Sequence, residues 1–254
     1  MVLSFLLGAE FFLGFYTVLL GACLYEFYGM IKTRKIGVLP ILGIAVSVVS
    51  SLIVFSQYLP SLPNFPTYIL VLIPALFFLT ELFRNKENPF QNVGFNLLGL
   101  FYVVLPFFCF IHLGFFTGEF SIQFPLGFLI MLWANDTGAY LTGRFLGRNK
   151  LFERVSPKKT WEGFVGGVLI ACLAGFIFQK YYTDYPVYIW ISMAITIGVM
   201  GTLGDLVESM LKRSLNVKDS GNLLPGHGGL LDRFDGLLIA APCVWVFLNV
   251  LLNV

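Results

Sequence analysis

Eight stretches of this sequence are apolar over about 20 residues each, the length that a helix needs to cross the hydrocarbon core of a bilayer. They lie near residues 11–31, 36–56, 66–83, 94–114, 122–143, 162–180, 186–206 and 234–253. Only 12% of the 254 residues are charged, whereas a soluble domain has about 25% charged residues. The sequence therefore predicts an all-α, polytopic integral membrane protein with about eight transmembrane helices and cytoplasmic polar loops.

The basic residues are concentrated on one side of these spans. When alternate connections are assigned to one face, that face receives 15 of the 16 Lys and Arg residues, and the other face receives only Lys180. Lys and Arg accumulate in the cytoplasmic loops of membrane proteins. The distribution predicts that both long polar loops face the cytoplasm and that the N-terminus faces outward. We expect the lipid bilayer as a partner and no nucleic acid, since the net charge is only +2.

The first half of the chain has the composition of a scaffold. Glu26 and Glu81 lie near the predicted cytoplasmic ends of their spans, where we expect each carboxylate to reach water or a nearby Lys. An interface role is therefore favoured over a functional one for both. The apolar residues 1–10 are too short to span, and they form either the stub of a further helix or a segment that lies against the bundle.

Polar residues gather in the second half, within or beside the apolar spans. Asn135 and Asp136 lie inside the fifth span, and Tyr140 and Arg144 follow at helical spacing. A carboxylate at membrane depth costs about 2.5–3.5 kcal/mol on insertion scales. We therefore expect Asp136 to face a polar cavity, a cation or a partner, and we favour a functional site over a structural hydrogen bond.

The segment SPKKTWEG, before the sixth span, combines helix-start residues with two lysines. Ser156 and Pro157 are predicted to open the helix, because Ser caps helices and Pro favours their first turn. With Lys158 and Lys159 beside free N–H groups, the segment predicts either an anion site or a basic cluster attracted to anionic headgroups. These residues alone leave both alternatives open.

Carboxylates also stand at the end of the seventh span and at the start of the eighth. One helical face is lined by Asp205, Glu208, Ser209 and Lys212. Asp232 and Asp235 are three residues apart, a spacing that directs both carboxylates the same way on a helix. Because these carboxylates flank apolar spans, we expect helix packing to bring the three aspartates together.

This combination of side chains suits a hard cation and phosphate. In the absence of a Cys or His cluster, carboxylates favour Mg²⁺, which prefers oxygen ligands and retains waters or substrate phosphates. Lys and Arg bind phosphate oxygens, and Gly226, Gly228 and Gly229 let backbone N–H groups approach an anion. No Walker A pattern is present, which disfavours a P-loop ATPase. The set predicts phosphoryl or nucleotidyl transfer, with a cation-coupled transporter as the less favoured class.

The segment SMLKRSLNVKDSGNLLPGHGGLLDRFD, residues 209–235, resembles the signature of the phosphatidate cytidylyltransferases, also called CDP-diglyceride synthases. NDTGAY and SPKKTWEG are similar to the same family, so the resemblance covers roughly residues 130–240. It implies transfer of CMP from CTP to phosphatidate, which gives CDP-diacylglycerol and pyrophosphate in phospholipid biosynthesis. The alternative is related nucleotidyl transfer to another membrane lipid phosphate.

Together with the resemblance, the residues predict a division of roles, in which Mg²⁺ is the cofactor, with or without a second cation. The predicted catalytic residues are Asp205, Asp232, Asp235, Lys212, Arg213, Lys218 and Asp219. The predicted substrate-binding residues are Arg144, Ser156, Lys158, Lys159, Ser209, His227, Gly228, Gly229 and Arg233. The predicted metal ligands are Asp136, Asp205, Asp232 and Asp235.

The sequence also leads to expectations about the regions of the chain, its substrates and its location. Residues 1–120 are predicted to form an N-terminal transmembrane scaffold, and residues 121–254 a transmembrane catalytic region. The resemblance implies CTP and phosphatidate as substrates, a bacterial inner membrane as location and a homodimer as assembly. The active site is expected on the cytoplasmic side.

Overall fold

The computed structural model of the protein describes residues 2–59, 61, 63–223 and 228–252, without the side chain of Val2. The structure is 75% helical with almost no sheet, which confirms the predicted all-α class. The helices are α1 (Val2–Leu6), α2 (Ala9–Lys32), α3 (Pro40–Phe55), α4 (Ile73–Arg84), α5 (Pro89–Gly99), α6 (Leu105–Leu113), α7 (Gln123–Leu146), α8 (Trp161–Gln179), α9 (Val187–Leu215) and α10 (Asp235–Leu252). Two short strands, β1 (Lys150–Phe152) and β2 (Ser156–Thr160), pair in antiparallel fashion.

Seven helical segments of the described chain are long and apolar enough to cross a membrane. They are Ala9–Lys32, Pro40–Tyr58, Thr67–Arg84, Pro89–Leu113, Trp161–Gln179, Val187–Leu215 and Asp235–Leu252. The remaining predicted span corresponds to α7, which has 24 residues. Its polar residues, Asn135 and Asp136 among them, lower its hydropathy. All eight predicted spans are thus helical, and the protein is a polytopic membrane protein.

The seventh span is longer than its apolar stretch predicts. The apolar run ends near residue 206, whereas α9 continues to Leu215. This extension is polar, and it keeps Ser209, Lys212 and Arg213 on the same helix as Asp205. The predicted common helical face of Asp205, Ser209 and Lys212 is therefore real.

The sixth span begins where its apolar run predicts, but the helix-opening role predicted for Ser156 and Pro157 was wrong. Ser156 and Pro157 do not open the helix but lie in β2, and α8 begins at Trp161. Pairing with β1 keeps this segment extended as far as Thr160, whose Oγ1 accepts a hydrogen bond from the Gly163 N–H at 3.2 Å. Thr160 is therefore the N-cap of α8.

The described chain divides into two compact units. The first unit comprises residues 1–108, 117–120 and 214–233, and the second comprises residues 109–116, 121–213 and 234–254. The units alternate along the sequence, because the segment 214–233 packs with the first half of the chain. The signature segment thus contributes residues to both units.

In the first unit, a hydrogen-bonded group of residues holds the ends of α4 and α5. Glu81 is 3% exposed, and its carboxylate accepts hydrogen bonds at 2.6 Å from both Arg84 and Asn92. Asn92 in turn accepts from the N–H of Gly37 at 2.7 Å. Glu81 was predicted to reach water or a Lys, and this was wrong, since its partners are a buried Asn and an Arg one helical turn away.

The N-terminal residues of the first unit lie against α2. The ring of Phe5, in α1, is 5.3 Å from that of Phe12 and 6.0 Å from that of Tyr16. All three side chains are buried. The short helix α1 thus packs against α2 through Phe5.

In the second unit, α7 and α8 pack closely because α8 has a row of small residues. Gly163, Gly167, Ala171 and Gly175 follow one another at intervals of four, and all are buried. A Cβ atom at Gly167 would lie 2.8 Å from the carbonyl oxygen of Asn135. Small residues at this spacing let helix backbones approach in membranes. This packing holds the helix of Asp136 against the helix that follows β2.

Candidate active site

An ion pair between Lys159 and Asp205 lies at the centre of the second unit's polar residues. The Lys159 Nζ is 2.6 Å from Asp205 Oδ2 and 3.4 Å from the carbonyl oxygen of Thr202. Their side chains are 24% and 39% exposed, so the pair is accessible. Lys159 belongs to β2 and Asp205 to α9, so the hairpin that replaces the predicted helix start delivers this lysine to the carboxylate.

Two further carboxylates of the second unit belong to the same electrostatic cluster. Asp136 lies in α7, and Asp235 lies at the start of α10. Each of them interacts electrostatically with Asp205 and Lys159, and the two also interact with each other. One ammonium group therefore lies among three carboxylates. We call Asp136, Lys159, Asp205 and Asp235 the acidic cluster.

Glycines let the backbones that carry this cluster approach each other. A Cβ atom at Gly204 in α9 would lie 2.5 Å from the carbonyl oxygen of Asp235. Gly236 is also buried, and its N–H donates to Asp235 Oδ1 at 2.7 Å. The start of α10 consequently lies directly against α9, one residue before Asp205.

Asn135 is a buried neighbour of the acidic cluster. Its side chain is 1% exposed, and its Nδ2 is 3.5 Å from Asp136 Oδ1. Its Oδ1 has no hydrogen-bond partner among the described residues. Gly167 and Gly198 pack against this oxygen. A Cβ atom would lie 2.8 Å from it at Gly167 and 3.2 Å from it at Gly198. The amide is thus enclosed by three helices next to a candidate site residue.

The donor set of the acidic cluster fits Mg²⁺ in its chemistry, because its ligands are carboxylate oxygens and its negative charge exceeds the charge of Lys159. Within the described residues, however, no group of three or more His, Cys, Asp or Glu side chains is arranged to hold a metal ion. Asp205 is instead paired with Lys159. The predicted Mg²⁺ ligands Asp136, Asp205 and Asp235 therefore lie in one cluster without forming a ready-made cage.

The polar end of α9 contains a second ion pair. Lys212 Nζ is 3.1 Å from Glu208 Oε2, and Glu208 is fully buried. Ser209 donates to Asp205 Oδ1 at 3.4 Å, whereas Arg213 is exposed. The structure thus places Ser209 next to the acidic cluster, and it gives Lys212 a buried carboxylate as a partner that the sequence reasoning did not assign.

In the first unit, Asp232 organises the signature loop, by which we mean residues 218–223 and 228–233. Its carboxylate accepts hydrogen bonds from the N–H groups of Ser220 at 3.1 Å and Gly229 at 3.0 Å. Asp232 lies in a short 3₁₀ turn, Leu231–Arg233, and Asp235 begins α10. The prediction that Asp232 and Asp235 share one helix was therefore wrong, because the helix begins only after Phe234.

The two described glycines of the signature loop's second part have different structural roles. Gly228 has a φ of 81°, a backbone conformation that favours glycine. Gly229 is buried, and a Cβ atom there would lie 2.8 Å from Glu26 Oε2. Its N–H donates to Asp232. Close packing within the protein thus accounts for Gly229, and anion binding by either glycine stays a prediction.

Glu26 in α2 is a residue of this region that sequence reasoning underestimated. Its side chain is 4% exposed, and its carboxylate accepts hydrogen bonds from three residues of the signature loop, Ser220, Leu223 and Leu231. The prediction that it reaches water or a Lys was wrong. The partners are about 200 residues away, and the signals in the sequence were an acidic residue inside an apolar span and the stretch YEFYG, residues 25–29, which resembles the family.

A cavity of about 450 Å³ lies in the first unit between α2 and the signature loop. Its lining includes Tyr25, Glu26, Lys32, Asp219 and Asn222. Asp219 and Lys218 are exposed. The predicted catalytic residue Asp219 thus borders this cavity, while the side chain of Lys218 is exposed.

The remaining predicted site residues are dispersed in the described structure. Arg144 and Lys158 are exposed, Ser156 is half-buried in β2, and Arg144 donates to the Tyr140 hydroxyl at 3.0 Å. Arg233 is exposed in the 3₁₀ turn of the signature loop. His227 and Gly226 lie outside the described residues.

The fold and these polar residues define a class of protein, an all-α polytopic membrane protein whose helices α7, α9 and α10 carry an acidic cluster paired with a lysine. The chain belongs to the Cytidylyltransferase family, whose sequence profile matches residues 1–251.

Bacterial relatives carry a more specific name. The chain is 42% identical over 171 residues to a protein of Bacillus subtilis (strain 168) named phosphatidate cytidylyltransferase, covering 66% of this chain and 62% of that protein. It is 39% identical over 175 residues to a phosphatidate cytidylyltransferase of Staphylococcus aureus (strain COL), covering 68% of this chain and 64% of that protein. The chain thus spans a little under two thirds of the length of the curated relatives it matches.

Proposed function

We propose that this protein transfers CMP from CTP to phosphatidate, giving CDP-diacylglycerol and pyrophosphate. Family membership and about 40% identity to proteins named phosphatidate cytidylyltransferase support this reaction. The observation that carries the proposal is the acidic cluster, in which three carboxylates of α7, α9 and α10 interact with one another and with Lys159. Nucleotidyl transfer to another lipid phosphate and cation-coupled transport are not favoured by these relatives.

In the proposed reaction, an oxygen of the lipid phosphate attacks the α-phosphorus of CTP. A new P–O bond forms as the bond between the α-phosphorus and the oxygen that bridges to the β-phosphorus breaks. Pyrophosphate leaves with the electrons of that bond. The nucleophile is already an anion, so positioning and charge stabilisation are the main requirements.

The residues of the acidic cluster have properties that fit these requirements. Asp136, Asp205 and Asp235 would hold Mg²⁺, which when bound would neutralise charge on the triphosphate. Lys159 keeps the like-charged carboxylates together in the absence of a cation and carries a positive charge for phosphate oxygens. The exposed side chains of Arg144, Lys158 and Arg213 provide further positive charge for phosphate groups.

We further propose that the active site faces the cytoplasm of a bacterial inner membrane and that the protein is a homodimer. The distribution of Lys and Arg supports the orientation, and the bacterial relatives support the membrane. The dimer rests on family resemblance, and light scattering of the detergent-purified protein tests it through the mass of the protein component.

The function is tested with purified protein, labelled CTP and a panel of lipid phosphates. We expect label from the α-phosphate to enter a lipid product with phosphatidate, and pyrophosphate to appear in equal amount. Chelation of divalent cations should stop the reaction, and added Mg²⁺ should restore it. Label transfer only to a polyprenyl or dialkylglycerol phosphate would replace the proposed substrate, and no transfer to any lipid would contradict nucleotidyl transfer.

The cation site is tested with Asp235→Asn. Loss of a carboxylate from the acidic cluster should raise the Mg²⁺ concentration for half-maximal activity by about tenfold or more. Asp184→Asn is the matched control, because Asp184 is a carboxylate in the loop before α9 that accepts a hydrogen bond from Gln123. An unchanged Mg²⁺ dependence in Asp235→Asn would remove Asp235 from the cation site.

A further inference from the structure

Glu26 is a buried carboxylate within a membrane-spanning helix. Among the described residues, its side-chain hydrogen bonds all come from the signature loop. Its Oε2 accepts from the Leu231 N–H at 2.8 Å and from the Ser220 hydroxyl at 3.2 Å. Its Oε1 accepts from the Leu223 N–H at 3.3 Å. These donors lie on both described parts of the signature loop, before and after residues 224–227.

The burial of Glu26 makes these hydrogen bonds important. Burying a carboxylate is costly unless it is paired or hydrogen-bonded, and hydrogen bonds to a charged acceptor are roughly twice as strong as those between neutral groups. The donors are two backbone N–H groups and one hydroxyl. Since backbone groups supply most of the stabilisation, the carboxylate and the loop conformation depend on each other.

Steric fit supports the same relationship. A Cβ atom at Gly221 would lie 2.5 Å from Glu26 Oε1, and one at Gly229 would lie 2.8 Å from Glu26 Oε2. Both are closer than a real Cβ contact. The loop therefore has glycine at two positions where a side chain would collide with the carboxylate of Glu26.

Ser220 connects Glu26 with Asp232. Its hydroxyl donates to Glu26, and its N–H donates to Asp232. Leu231, which donates its N–H to Glu26, directly precedes Asp232. A single hydrogen-bonded network thus runs from the first membrane span to a carboxylate of the signature loop.

We infer that Glu26 is a positioning residue, which holds the signature loop in the conformation that cytidylyl transfer requires. This inference rests on the proposed function. Glu26 acts through the loop and touches no substrate. Loss of its hydrogen bonds should therefore misplace the charged groups of the loop, including Asp219, Asp232 and Arg233, and slow the reaction rather than weaken substrate binding.

The test compares Glu26→Gln with the wild-type protein. Gln has nearly the same shape as Glu, but one of its two terminal groups is an NH₂, which donates hydrogen bonds. Whichever way the amide is turned, this NH₂ faces at least one of the three donors of the loop and cannot accept its hydrogen bond. We expect faster hydrogen exchange in peptides that cover residues 214–223 and 228–233, with unchanged exchange in the rest of α2. We expect kcat per folded protein to fall at least tenfold, while KM for CTP changes by less than about twofold.

Glu81→Gln is the matched control, because Glu81 is an equally buried carboxylate of the first unit with partners outside the signature loop. It should leave both loop exchange and kcat within twofold of the wild-type values. Ser220→Ala should give the same changes as Glu26→Gln to a smaller extent, since it removes one of three hydrogen bonds. The double variant should be no slower than Glu26→Gln alone.

Each outcome decides between the alternatives. Unchanged loop exchange in Glu26→Gln would overturn the inference, and so would faster exchange with kcat within twofold of wild type. If Glu81→Gln had equal effects, the loss of activity would follow from removing any buried carboxylate, and this result would also overturn the inference. If wild-type protein transfers no label to any lipid phosphate, the proposed function fails, while the exchange experiment still decides whether Glu26 holds the loop.

Discussion

Lys159 and Lys158 are neighbours in β2, and the strand gives them different surroundings. Side chains alternate between the two faces of a strand, so Lys158 is exposed while Lys159 lies against Asp205. In a helical turn, as the sequence predicted, the two would not be separated in this way. The specific partner of Lys159 therefore follows from the local β conformation.

Lys159→Met should lower kcat/KM for CTP by about tenfold or more. Met keeps much of the volume of Lys, but it leaves Asp205 near Asp136 and Asp235 with no ammonium group to offset their repulsion. Steady-state kinetics with purified protein measures the effect. Lys150→Met, in β1 of the same hairpin, is the control and should remain within twofold of wild type. A normal kcat/KM in Lys159→Met would show that the ion pair is dispensable.

At the scale of elements, the row of small residues on α8 determines how the second unit packs. Gly163, Gly167, Ala171 and Gly175 could be read from the sequence as a spacing of four within an apolar span. What the spacing does not identify is the partner helix. The structure identifies it as α7 at Gly167, where the neighbouring atoms include the backbone of Asn135.

Gly167→Ala should destabilise the protein by about 1–3 kcal/mol, because the added methyl group meets a backbone oxygen that cannot move independently. Thermal unfolding in detergent, monitored by tryptophan fluorescence, should show a lower midpoint. Gly94→Ala in α5 is the control, because no neighbouring atom would lie within 4 Å of the added methyl group and Ala favours helix by about 0.8–1 kcal/mol. Equal midpoints for the two variants would contradict close α7–α8 packing at this glycine.

At the scale of the whole molecule, the distribution of charge supports the proposed orientation of the chain in the membrane. The loop with β1 and β2 contains many of the basic residues, whereas the loop between α8 and α9 begins with Lys180 and has no other Lys or Arg. Both loops belong to the second unit, and α8 separates them. A single membrane crossing by α8 therefore places them on opposite sides of the bilayer.

Cysteine labelling tests this orientation. Arg154→Cys should react with a membrane-impermeant maleimide in inside-out vesicles, and Thr183→Cys should react in right-side-out vesicles. Both positions are exposed, whereas the four native cysteines are buried or half-buried, so the unmodified protein measures the background. Labelling of both positions from one side would mean that α8 does not cross the bilayer, and the reversed pattern would place the basic loops outside.

The candidate site shows how far the sequence alone can be interpreted. Asp136, Asp205 and Asp235 were selected because carboxylates inside or beside apolar spans are costly, and the structure places them in one electrostatic cluster. Glu26 met the same criterion but was assigned to an interface, because its three donors come from a loop about 200 residues later. Nothing near Glu26 in the sequence announces those donors.

The sequence by itself determined the helical membrane architecture and the residues of the signature, since hydropathy and helical spacing are local properties that any bilayer protein must satisfy. Tertiary structure alone decided the partners of charged groups that are distant in the sequence: Lys159 with Asp205, and Glu26 with the signature loop. A buried charge is stabilised by whichever groups the folded backbone brings within a few ångströms. That proximity depends on glycine-mediated helix contacts, a short hairpin and a 3₁₀ turn, which hydropathy does not encode.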